Sequence, residues 1–178
     1  MIISIDMLDK SGIEYDWRTL YVGINANLVE CSELTAYALK MMGDDKYEDD
    51  EFINEIAWGI EDNLKGEILT KMLLKFNFDM LISESKSWEL ELEKLRYTIL
   101  NYLRNTIKDD NELLRKIEEV YADFNYPQDM EEFISYMPVK NDYNLSANSI
   151  EYNNKRMINN LDNFLAVEKK KVDAKNKL

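Results

Sequence analysis

The residues of this chain with the greatest capacity for chemistry are carboxylates. Asp44, Asp45, Glu48, Asp49, Asp50 and Glu51 place six acids in eight positions, with Lys46 the lone cation among them. An EF-hand calcium loop is excluded by register. Counted from Asp44, its third ligand position falls on Lys46, and its sixth, where a glycine must turn the chain, falls on Asp49. Two readings remain. The acids form a solvated helix entry, favoured by the positive end of the helix dipole, or they form an electrostatic landing patch for a basic protein. The second reading makes these six the candidate partner-binding residues.

Other carboxylates pair at helical spacing, Glu89 with Glu93, and Glu91 could meet Glu118 or Glu119 from another helix. A bundle di-iron site would need Glu-x-x-His partners, and the chain has no histidine. An exposed charged face is the plainer account. Histidine is also the side chain that titrates nearest neutrality, so the easiest route to acid–base catalysis is missing. Cys31 is the single cysteine, with no histidine to form a thiolate pair and with Leu28 and Val29 close by in sequence. No phosphate-binding glycine loop and no nucleophile elbow occurs. These residues assign no catalytic group, no metal ligand and no cofactor, and the expectation is a protein that is not an enzyme.

Charge points to the class of partner. With 35 Asp and Glu against 22 Lys and Arg, the formal charge is -13, which opposes nucleic acid or an anionic membrane and favours a basic protein. The exception is residues 168–178, where five Lys against two acids give +3 and leave -16 for the rest. That stretch reads as a basic C-terminal tail, a frayed helix end with lysines at the negative pole of the macrodipole. One cysteine, no apolar run of membrane-spanning length and no basic N-terminal leader imply a cytoplasmic location.

These groups have to be held by helices. The 178 residues suit one domain, 1–167, ahead of the tail, and 46% hydrophobic residues supply a core without disulfides or metals. Five Gly and two Pro leave few breakers. Asp16 caps a helix whose inward stripe is Trp17, Leu20, Tyr21, Ile24 and Leu28. Ser32 caps a second with Leu34, Tyr37, Ala38 and Met41 inside and Gly43 as a left-handed stop. Phe52, Ile53, Ile56, Ala57, Ile60 and Leu64 predict a third, and Ile68, Leu69, Met72, Leu73, Phe76 and Met80 a fourth. Ser85 or Ser87 opens a long fifth from Trp88 to Ile107. A sixth follows Asp109 or Asp110 and is ended by Pro127. Met130, Phe133, Ile134 and Met137 suggest a short seventh. An eighth starts near Ser149 and turns Ile150, Met157, Ile158, Leu161, Phe164 and Leu165 inward. Gly23 and Gly59 each cost about 1 kcal/mol against alanine inside a helix, so both are expected at close backbone contacts in the core. The expected fold is all-α, a single compact domain of seven to eight helices, as a multi-helix bundle or a short α-solenoid.

The segments DWRTLYVGINANL and VYADFNYPQDMEEFISYMP carry a resemblance. Together they look like a bacterial family of uncharacterised cytosolic proteins, classed as a domain of unknown function, with an early Trp-containing helix and a "YADF-YP … YMP" signature. The matching positions are Trp17 and Gly23, then Tyr121, Ala122, Asp123, Phe124, Tyr126, Pro127, Tyr136, Met137 and Pro138. The resemblance brings no catalytic residue. A structural role is expected for the signature: Phe124 and Tyr126 packing a corner before Pro127, Asp123 bonding nearby backbone or tyrosine hydroxyls, and Tyr136 to Pro138 closing the next helix. In size, acidity and helical make-up the family is similar to immunity proteins of bacterial polymorphic-toxin systems. The resulting expectation is a non-enzymatic acidic binding protein that neutralises a basic toxin. The alternatives are a carboxylate-based enzyme, metal-assisted or not, and a cytosolic scaffold or adaptor.

Overall fold

The computed structural model describes residues 1–43, 50–60, 64–78, 81–139 and 143–175. Among them the chain is all-helical, as expected, with no strand. The α-helices are α1 (Ile5–Ser11), α2 (Trp17–Asn25), α3 (Cys31–Met41), α4 (Glu51–Ala57), α5 (Lys65–Phe76), α6 (Lys86–Thr106), α7 (Asp110–Asp123) and α8 (Ile150–Lys175). Two 3₁₀ segments, Gln128–Phe133 and Leu145–Ala147, precede α8. Two compact units are distinguished, Ile2–Leu95, and Arg96–Leu178 with Met1.

In the N-terminal unit, α1 was not foreseen, because seven residues are too few to display a stripe. Its punctuation was visible nonetheless: the Ser4 hydroxyl accepts the Met7 N–H at 3.3 Å, and Gly12 stops the helix at φ 68°. Asp16 caps α2 in a capping box with Thr19, as its sequence position implies. Trp17 is 4% exposed and Leu20 and Ile24 are fully buried. The predicted inward face is correct through Ile24, but α2 ends at Asn25, so Leu28 is buried beyond the helix rather than on it. Gly23 is a true close approach, since a Cβ there would lie 2.5 Å from Cγ2 of Val29 and 3.3 Å from Cδ1 of Leu95.

Four expectations in this unit are corrected. Ser32 does not cap α3; the cap position is Glu30, which makes no side-chain bond. Glu33 is instead turned to α1, where its carboxylate accepts the Ile5 N–H at 2.7 Å. Gly43 is not left-handed, and α3 ends on Met42 at φ -60°. The stripe through Ile60 and Leu64 breaks after Ala57, because Gly59 takes φ 109° with open space around it and so is no packing contact.

Aromatic rings fill much of this core. Trp17 stacks on Phe76 at 5.3 Å between centroids and stands edge-on to Tyr37 at 4.7 Å, while Phe76 stacks on Phe78 at 5.5 Å. Beside them lies a buried polar trio: the Thr19 hydroxyl donates to Glu91 at 2.6 Å and the Lys94 ammonium donates to its other oxygen at 3.0 Å.

In the C-terminal unit Asp109 caps α7 through the Glu112 N–H at 2.8 Å. α7 buries Leu113, Leu114, Ile117, Val120 and Tyr121. The expected short helix exists as the 3₁₀ segment, with Met130, Phe133 and Ile134 inside. α8 packs on both, but its first residue, Ile150, is exposed rather than inward. The segment expected to fray remains helical to Lys175, because Glu168 and Val172 are buried. Arg96 explains the burial of Glu168: its guanidinium donates to Glu168 at 2.6 Å and to both oxygens of Asp129 at 2.9 Å, with Phe164 against its face at 5.1 Å. Burial works against the Arg96 charge, yet Glu168 and Asp129 outweigh it and raise its pKa.

Candidate functional site

The signature residues at the end of α7 build the most distinctive surface of the C-terminal unit. The helix stops at Asp123, ahead of Pro127, because Asn125 and Tyr126 are both left-handed, at φ 60° and 58°. Asparagine tolerates that conformation, whereas for tyrosine it costs roughly 1–2 kcal/mol. The turn is closed by the Tyr126 N–H donating to the Tyr121 carbonyl at 2.9 Å. Pro127, at φ -67°, then leads into the 3₁₀ segment.

The strained turn sets Tyr126 against Tyr121, whose ring Tyr136 also meets. The Tyr126 ring stands edge-on to Tyr121 at 5.3 Å and 83°, and Tyr136 lies 6.4 Å from the same ring. Tyr121 is buried, but Tyr126 and Tyr136 are 60% and 59% exposed. Carboxylates lie near two of them, Glu118 by Tyr136 and Glu131 by Tyr121. Glu118 accepts the Ser135 N–H at 3.3 Å and the Ser135 hydroxyl, and Asp123 pairs with the Met1 ammonium at 2.6 Å rather than with backbone or a tyrosine. Burial and then the Glu118 carboxylate push the Tyr136 phenol above its ordinary pKa, while burial and Glu131 do the same for Tyr121. Tyr121 and Tyr136 therefore offer ring faces and hydroxyls rather than nucleophiles.

The remaining signature positions are scattered by comparison. Trp17 and Gly23 belong to the core of the N-terminal unit, Phe124 is half-buried at the turn, and Pro138 is exposed.

Of the acidic run, Asp44, Asp45, Glu48 and Asp49 lie outside the described residues. Asp50 is committed to structure: one oxygen caps α4 through the N–H groups of Phe52 and Ile53 at 3.0 and 3.1 Å, and the other meets Lys75 at 2.5 Å. Partial burial opposes its charge, but Lys75 and the two N–H groups prevail and hold its pKa below the usual carboxylate value. Glu51 is exposed in the first turn of α4. It borders an open groove of about 730 Å³ shared with Phe52, Glu55, Lys71, Leu74 and Lys75.

No metal-binding group of three or more carboxylate, cysteine or histidine residues occurs among the described residues. The candidate carboxylates have other partners: Glu91 is held by Thr19 and Lys94, and Glu119 by Arg115 and Lys116 at 2.5 and 2.7 Å. Cys31 is buried. No helix among the described residues is long and apolar enough to cross a membrane. What the sequence concealed is Trp58, which sits in an apolar run yet is 92% exposed, because α4 ends one residue before it.

Comparison with curated protein sequences and with solved structures gave no match. A family profile, by contrast, matches residues 5–169, which include both segments of the signature. The chain belongs to that family, DUF2247, described as uncharacterized protein conserved in bacteria.

Proposed function

We propose that this is a cytoplasmic, non-enzymatic binding protein whose acid-ringed tyrosine surface engages a basic protein, and that the partner is a toxin domain it neutralises. One observation carries the reading: backbone strain at Tyr126 is spent on holding an aromatic ring in solvent beside carboxylates. Strained non-glycine residues persist where function repays them. Tyrosine is among the residues that concentrate interface energy, and exposed ring faces with Glu118 and Glu131 nearby suit arginine and lysine side chains. The charge of -13 adds long-range attraction for a basic partner. Asp44, Asp45, Glu48, Asp49 and Glu51 are proposed to steer the encounter, with Asp50 occupied as the cap of α4.

The test starts with affinity capture from the native bacterium, identification of the bound protein and its purification. A basic partner is expected, and Tyr126→Ala with Tyr136→Ala should raise its dissociation rate at least about 10-fold. An unchanged rate removes the tyrosine surface from the interface. Co-expression separates the finer claim: a partner that does not inhibit growth alone removes toxin neutralisation while leaving the binding role.

A further inference from the structure

The chain lays its own cations over several of its rings. Lys40 lies over Tyr15 at 5.2 Å from the ring centroid, Lys75 over Phe52 at 5.7 Å, Arg96 over Phe164 at 5.1 Å and Arg156 over Tyr143 at 4.7 Å. Among the described residues none lies over Tyr126 or Tyr136, although both rings are more than half exposed. A ring face that carries no cation of its own remains open to one from outside.

Glu118 is bare in the same sense. Its neighbour Glu119 is paired with both Arg115 and Lys116, whereas Glu118 has no ion pair among the described residues. Neutral donors hold it instead: its Oε1 accepts both the N–H and the hydroxyl of Ser135, and Oε2 takes no part in those bonds. Ser135 thereby brings Tyr136, the next residue, alongside the carboxylate. Glu118 and Tyr121 are three residues apart on α7 and share a face of it, and the Tyr136 ring meets that of Tyr121 at 6.4 Å. The carboxylate is close enough to the Tyr136 phenol to raise its pKa. An uncovered ring and an unpaired negative charge thus stand side by side.

The two protein cations differ in what they can do with such a pair. An ammonium is a compact, strongly hydrated point charge. A guanidinium is flat and weakly hydrated, so it can stack its face on a ring while its in-plane N–H groups donate to a carboxylate. We infer that Tyr136 and Glu118 form a seat for a guanidinium, so that the basic partner anchors there through an arginine, its plane on the Tyr136 ring and its edge on Glu118. This rests on the proposed binding of a basic protein at the tyrosine surface and narrows that binding to one side chain.

The experiment titrates the full chain with Nα-acetyl-argininamide and follows the Tyr136 ring protons by NMR. Saturable shifts are expected, with a dissociation constant on the order of 10 mM or tighter. Nα-acetyl-citrullinamide, of the same shape without the charge, should bind at least about 5-fold more weakly, and Nα-acetyl-lysinamide, with the charge but no plane, at least about 3-fold. Tyr136→Leu and Glu118→Gln should each weaken the arginine probe at least about 3-fold, the glutamine keeping an oxygen for Ser135, while Tyr136→Phe, which keeps the ring, should stay within about 2-fold of wild type. Absence of a saturable shift, equal binding of the citrulline or lysine probe, or unchanged affinity in Tyr136→Leu and Glu118→Gln overturns the inference. A basic partner captured through Tyr126 and Tyr136 without any preference for the arginine probe excludes the guanidinium seat and leaves the binding role standing. Preference for the arginine probe, with a captured partner indifferent to both tyrosines, upholds the seat and removes the proposed interface.

Discussion

Arg96 and Glu168 meet at 2.6 Å with both side chains almost wholly removed from water. Removing one member of such a pair strands the other, a loss of about 3–5 kcal/mol, whereas replacing both by apolar groups is often neutral. Glu168→Gln, which leaves Arg96 only the half-exposed Asp129, should therefore lower the urea midpoint, by less than that full loss. Arg96→Met with Glu168→Leu should recover a large part of the loss, less the cost of leaving Asp129 without its partner. Equal destabilisation by the single and double variants contradicts this.

Trp17 is the hub of the N-terminal aromatic cluster, in contact with Tyr37, Phe52 and Phe76. Trp17→Ala should cost about 3–5 kcal/mol, a large share of the stability of an ordinary domain. A wild-type denaturation midpoint for this variant would show that the cluster carries little of the fold.

Gly23→Ala tests close packing in the same unit. The new methyl would sit 2.5 Å from Val29, so the higher helix propensity of alanine, worth about 1 kcal/mol, should be overcome by overpacking of about 1–3 kcal/mol. Pairing it with Val29→Ala should restore part of the loss. A thermal midpoint at or above wild type for Gly23→Ala would mean the strand of chain at Val29 yields freely.

Asp50 gives a pH signature with a definite sign. Its folded-state pKa lies below the ordinary 3.8, so its contribution is complete above that value and is lost as pH falls through the lower folded value. Asp50→Asn should lower stability at pH 7 and flatten its decline below pH 3.8. Parallel pH–stability curves for the two proteins would show that Lys75 and the α4 N–H groups do not favour the charged form.

Tyr126→Gly separates strain from binding. Glycine relieves the left-handed penalty at φ 58° but forfeits the edge-on contact with Tyr121, worth about 0.5–1.5 kcal/mol. Stability should therefore move by less than about 1 kcal/mol in either direction, while capture of the basic partner is lost. A variant that retained the partner at wild-type affinity would make Tyr126 a turn residue only.

The inward faces of α2, α5 and α7 were legible because each repeats apolar residues over several turns, as Trp17, Leu20 and Ile24 do, whereas that of α6 was legible only in part, since Glu91, Lys94, Arg96 and Thr98 are buried on it and Tyr102 is exposed. α1 was not, since seven residues hold two turns, and its information sat in Ser4 and Gly12 instead. Gly59 and Gly43 show the limit of reading glycine by neighbours: both follow apolar stretches, but only Gly59 adopts positive φ, and neither packs tightly. The tyrosine surface was half legible. The motif named the residues, but nothing in the letters of Asn125 and Tyr126 announces two successive left-handed conformations.

Trp58, alone in solvent at the end of α4 while Trp17 is enclosed by rings, makes the protein its own optical instrument. Iodide will reach the indole of Trp58 and not that of Trp17, with the half-buried Trp88 between them, so the most quenchable fraction of the fluorescence reports the end of α4. Any partner that covers the end of α4 will shrink the quenchable fraction without a label.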